Sequence, residues 1–173
     1  MRLLQLVALG ALIVIILALG ATAVIGRERA LALVFGPAEP TPIDFKTLTR
    51  HRRPNQFLMC PKGLCSAAID VVSPVFDVPA TQLRNVGVAV MAQQPRIQQV
   101  AADETALQYD FVQRSRLVRF PDLITVRFIP LPATQSTFAV YSRSHIGYSD
   151  RGVNRRRIES WLTALKIQLQ SKP

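Results

Sequence analysis

The segment from Leu3 to Ile25, LLQLVALGALIVIILALGATAVI, carries no charge and a single Gln. About 20 apolar residues in an α-helix match the hydrocarbon core of a bilayer. A helix packed on a soluble core would show a polar stripe at helical period, and this one shows none. Three readings compete: a membrane anchor, a cleaved signal peptide and a buried hairpin. Ala21-Thr22-Ala23 imitates an A-x-A cleavage site, but the run exceeds the usual apolar length of a signal and resumes as ALALVFG after Arg27-Glu28-Arg29. The anchor is the favoured reading.

Orientation rests on less. Arg2 and the α-amino group precede the span, while Arg27 and Arg29 follow it with Glu28 between, so positive charge is nearly balanced across it. The cysteines add an argument. Cys60 and Cys65, in CPKGLC, are the only two. Structural zinc needs four ligands, and the spacing is not C-x-x-C. A local disulfide is the simplest use and implies an oxidising compartment; two buried free thiols are the alternative. The expected arrangement is a single pass through a membrane, with the soluble part outside the cytoplasm.

Residues 30–53 include GPAEPTPIDFKTLTRHRR, rich in proline and basic residues and without apolar period, and read as an extended linker. The chain thus divides into an anchor over 1–29, the linker, and an α+β domain over 54–173. Within that domain Leu83, Val86, Val90 and Met91 mark a helix face after Pro79, with Gly87 a weak point. A strand is expected at 96–101. Leu107, Tyr109 and Phe111 then alternate with Gln108 and Asp110, and Ile124, Val126 and Phe128 alternate with Thr125 and Arg127. TFAVYSRS forms a hairpin with that strand through the turn at 131–134. Ile158, Trp161, Leu162, Leu165 and Leu169 define a terminal amphipathic helix, with Ser149 or Asp150 as its cap. The fold expected is α+β: an antiparallel meander with two helices on one face, preceded by a single transmembrane helix.

Net charge is +10, and 17 of 21 basic residues are arginine. Nine arginines fall between Arg114 and Arg157, opposed there only by Asp122 and Asp150. Such a stretch attracts anionic lipid head groups or other polyanions; nucleic acid is not expected as a partner outside the cytoplasm. The segment YSRSHIGYSDRGVNRRRIESWL concentrates the interest. A helix N-terminus offers free N–H groups to an anion, and Arg143, Arg151 and Arg157 would grip one with Ser144 and Asn154 nearby. The competing structural reading is a polar network tying the last helix to the sheet, with Gly147 and Gly152 at turns. Ser144, His145 and Asp150 supply the residue types of a hydrolase triad, but neighbours on a strand project to opposite faces. No nucleophile elbow, zinc-protease motif, P-loop or dinucleotide fingerprint occurs, so no metal or cofactor is expected.

RSRLVRFPDLITVRF followed by STFAVYSRSHIGYSDRGVNRRRIESWLTAL resembles the C-terminal signature of domain-of-unknown-function family 1499. The matching positions are Phe120, Pro121, Asp122, Ser142, Arg143, Ser144, Gly147, Ser149, Asp150, Gly152, Asn154 and Arg157. Pro54 and Asn55 match the family's opening segment, where the cysteine arrangement differs. The resemblance spans roughly residues 54–168. It implies a small, often membrane-anchored or exported domain of bacteria and plastids, with no established activity, and with the anchor it implies a single-pass protein of the bacterial inner membrane. The function expected is therefore a non-catalytic binding or structural module of the cell envelope, with the small hydrolase as alternative.

Overall fold

The computed structural model describes residues 2–171. Helix α1, Arg2–Ile25, is followed after Gly26 by α2, Arg27–Phe35. Strands β1 (Gln56–Cys60) and β2 (Val71–Val72) precede α3 (Ala80–Ala92). Then come β3 (Ile97–Asp103), β4 (Gln108–Arg114), β5 (Pro121–Pro130), β6 (Ser136–Ser144) and α4 (Val153–Gln170). This is a mixed α+β chain with, among the described residues, one apolar helix long enough to cross a membrane. At about 1.5 Å per residue, the 24 residues of α1 extend roughly 36 Å.

The six strands form one sheet in the order β2-β1-β6-β5-β4-β3. Strands β3 to β6 make the antiparallel meander. Strand β1 adds antiparallel to β6, and β2 pairs parallel with β1. QFLMC lacks the alternation that marks a half-buried strand, and its burial explains why: Phe57 to Cys60 are all buried.

Alternation on the other strands sends Tyr109, Phe111, Ile124, Val126, Phe128, Phe138 and Val140 to one face. There they meet Leu83, Val86, Val90 and Met91 of α3 and Ile158, Trp161 and Leu165 of α4. The opposite face is covered too. Phe45 and Leu48, in the segment expected to be an extended linker, pack on Leu58, Cys60, Ala139 and Tyr141. Gln108 donates through Nε2 to the Ile43 carbonyl at 3.0 Å, and the Phe45 and Leu48 carbonyls accept from Ser66. Part of the proline-rich segment is thus a lid on the sheet. Cys60 and Cys65 are joined by a disulfide, which closes the small loop after β1 beside this second core.

Candidate functional site

The N-terminus of α4 abuts the end of the sheet formed by β6, β5 and β4. The helix begins at Val153, with Gly152 at its cap position in the left-handed region, φ 77°. The capping carboxylate is nonetheless Asp150. It accepts from the Gly152 N–H at 2.9 Å and the Asn154 N–H at 2.7 Å, satisfying donors that the first turn leaves free. Ser149 accepts the Arg151 N–H at 3.3 Å.

Asn154 is fully buried and lies at the centre of the contacts. Its amide nitrogen donates to Asp150 at 2.8 Å, to the Asn55 carbonyl at 3.0 Å and to Ser144 Oγ at 3.2 Å. Its Oδ1 accepts from Ser142 Oγ at 2.6 Å and Arg157 Nη1 at 2.5 Å. Arg157 also donates to Ser142, to Gln113 and, through Nη2, to Asp122. Its side chain is 8% exposed and that of Asp122 14%. Phe120-Pro121-Asp122 positions the partner: Phe120 closes the β4–β5 loop on Ser115, and the Pro121 carbonyl accepts the His145 N–H. Asn55 donates to the Gly147 carbonyl at 2.7 Å, and Gly147 turns with φ 96°.

The residues of the loop divide. Ser142, Ser144, Asp150, Asn154 and Arg157 come together on the helix side. Arg143 belongs to the other face, as the two-residue period of β6 requires. It is 9% exposed, stands 5.1 Å from the ring centre of Tyr141, and its Nη1 has no hydrogen-bond partner. Asp110 is buried on that face and accepts from Thr125 at 2.5 Å. Burial raises the Asp110 carboxyl above its ordinary range, opposed by the Thr125 bond and the Arg143 charge. Burial likewise lowers the Arg143 guanidinium, opposed by Tyr141 and Asp110. Arg151 is exposed at the turn, φ 51°. No hydrogen bond links Ser144 to His145 or His145 to Asp150 among the described residues, and His145 Nε2 is buried without a partner. The described residues contain no cluster of three or more acidic, His or Cys side chains able to hold a metal.

Arg157 also borders an open cleft of about 440 Å³ between α4 and the end of β4. Arg96, Arg114, Arg116 and Arg156 line it with Arg157, and Asp122 is the one carboxylate in its wall. Arg114 pairs with Glu28 at 3.0 Å, Arg156 bonds the Arg151 carbonyl, and Arg96 bonds the Arg114 carbonyl. Arg116 is exposed, with no hydrogen bond or ion pair among the described residues. In sequence these arginines belong to one long basic stretch from Arg114 to Arg157; the fold of β4 against α4 makes Arg114, Arg116 and Arg156 neighbours.

A family model described as "Protein of unknown function (DUF1499)" matches residues 49–165, which hold all of the α4 network and all five arginines of the cleft. The chain belongs to this family. The DUF1499 match includes Leu48's neighbour Thr49 onward and leaves α1 and α2 outside it. No curated protein matches the chain. Among solved structures, the di-domain ARO/CYC BexL from the BE-7585A biosynthetic pathway is similar at 18% identity and a TM-score of 0.43. The alignment covers 58% of this DUF1499 chain and 46% of that one, so this chain spans less than half of that structure.

Proposed function

We propose that this DUF1499 protein is a non-catalytic, membrane-tethered module of the bacterial envelope whose arginine cleft engages an anionic group. The observation that carries the reading is the cleft itself: five arginines converge there against one wall carboxylate, and Arg116 has no ion pair among the described residues. Guanidinium forks match phosphate and carboxylate oxygens through paired N–H donors. Asp122 is committed to Arg157 and Glu28 to Arg114, which leaves Arg96, Arg116 and Arg156 without a carboxylate partner among the described residues. The α4 network beneath is the scaffold that holds Arg157 and Arg156 in place, and Ser144 and Asn154 serve it rather than the ligand.

Tethering is supported by the length and apolar composition of α1. A soluble part outside the cytoplasm is supported by the Cys60–Cys65 disulfide, since such bonds persist in oxidising compartments. The hydrolase reading gains no support, because Ser144 bonds Asn154 and not His145.

The test is thermal unfolding of the full chain in detergent with inorganic phosphate, glycerol phosphate or acidic sugars. A ligand of the folded state raises the midpoint by mass action. The reading expects a rise for at least one of these anions that is lost in the Arg116→Ala/Arg156→Ala variant. No rise, or an equal rise in the variant, overturns it.

A further inference from the structure

The apolar helix α1 ends at Ile25, and Arg27 is the first charged residue after it. Arg27 Nη1 donates to the Leu117 carbonyl at 2.8 Å. One residue on, Glu28 accepts from Arg114 at 3.0 Å and from Arg119 at 2.6 Å. The β4–β5 loop is therefore fastened to the first turn of α2, one arginine side chain from the point where a spanning helix leaves the hydrocarbon. The interfacial layer of a bilayer is roughly 5–8 Å thick on each side. A loop held this close to the end of α1 lies within it.

The loop is built for such a place. Leu117 is 74% exposed and Val118 49%. With Ala30, Leu31 and Val34 they line an apolar groove between the loop and α2, and Leu33 and Phe35 continue the exposed apolar surface. Single exposed apolar residues need no explanation, whereas a contiguous patch does. Arg116 and Arg119 flank the tip, the arrangement in which apolar side chains enter the acyl boundary and guanidinium groups remain among phosphates.

We propose that the β4–β5 loop and the exposed side of α2 form a second contact with the bilayer, with Leu117 and Val118 inserted at the head-group boundary. The proposal rests on reading α1 as a membrane anchor and is independent of whether the cleft binds an anion. It fixes the tilt of the domain on the membrane, and it sets the wall of the arginine cleft formed by Arg114 and Arg116 toward the lipid head groups.

The test labels single-cysteine variants of the full chain with an environment-sensitive fluorophore, the native cysteines being paired. The chain is placed in nanodiscs of phosphatidylcholine with a minority of phosphatidylglycerol, some lipids carrying a nitroxide near the top of the acyl chain. Labels stand at Leu117→Cys, at Leu12→Cys within α1 and at Ile167→Cys on the exposed side of α4. The expected result is blue-shifted emission and nitroxide quenching at positions 117 and 12, with neither at 167. A wet, unquenched label at 117 with a lipid-buried label at 12 overturns the proposal and leaves the anchor standing. A wet label at 12 overturns both. A blue-shifted label at 117 that lipid nitroxides do not quench shows the patch covered by protein, such as a second copy of the chain, and also overturns the proposal.

Discussion

Arg157, at the start of the second turn of α4, forms a nearly buried ion pair with Asp122 near the start of β5, 35 residues away in sequence. The pair joins the last helix to the middle of the sheet, and the same guanidinium holds Ser142, Asn154 and Gln113. Breaking such a pair from one side leaves an uncompensated buried charge, at a cost of about 3–5 kcal/mol. Arg157→Ala is expected to lose stability on that scale in denaturant unfolding of the full chain. Arg157→Lys should fall between, keeping the charge but not the fork. A loss below about 1 kcal/mol, typical of an exposed pair, would contradict the burial of this one.

Gly87 sits in α3 beneath the ring of Phe128. A Cβ there would lie 2.7 Å from two ring carbons. Phe128 is itself hemmed in by Tyr109 and Phe138. Helix propensity alone favours Ala by about 1 kcal/mol, while overpacking costs about 1–3 kcal/mol. The packing effect should win, so Gly87→Ala lowers the unfolding midpoint. A higher midpoint would show that Phe128 can move aside.

The Gly87 case shows what the sequence discloses and what it does not. A glycine within an apolar-periodic helix reads only as a local weakness; the reason for it is an aromatic ring more than 40 residues on, beyond any local pattern. The meander and α4 are legible because the sheet turns apolar side chains to its helix-covered face and Gln108, Asp110, Thr125 and Arg127 to the other, leaving alternation in β4 and β5, and because α4 buries one face, leaving a 3.6-residue period from Ile158 to Leu169. QFLMC is covered on both sides and so has no alternation to read. Phe45 and Leu48 stand among prolines with no period, and they cover a sheet face because β1 brings Leu58 and Cys60 to it. For the site, Ser142, Asp150, Asn154 and Arg157 were legible as one unit. Arg143 is adjacent to them in sequence, but the strand period sends it to the opposite face.

Asp110 gives a pH signature on that opposite face. Burial holds its carboxyl above the unfolded value, so the folded chain binds this proton more readily than the unfolded chain does. Stability from this group is therefore lost as pH rises from the unfolded carboxylate range, about pH 4, through the raised folded value. Asp110→Asn keeps an acceptor for Thr125 and removes the buried charge. It is expected to stabilise the chain at neutral pH, with the advantage shrinking toward zero on acidification below that range. An effect independent of pH, followed by circular dichroism melts across the acid range, would contradict this account.

The central claim is that the cleft between β4 and α4 takes an anion through its arginines. The most direct measurement follows the Nε–Hε resonances of the arginine side chains, by nitrogen-edited NMR of the full chain in micelles, as glycerol phosphate is added. The account predicts that Arg114, Arg116 and Arg156 move together along one saturable isotherm, while Arg127 and the buried Arg143 stay in place. Unmoved cleft arginines, or a response centred on Arg143, would contradict it.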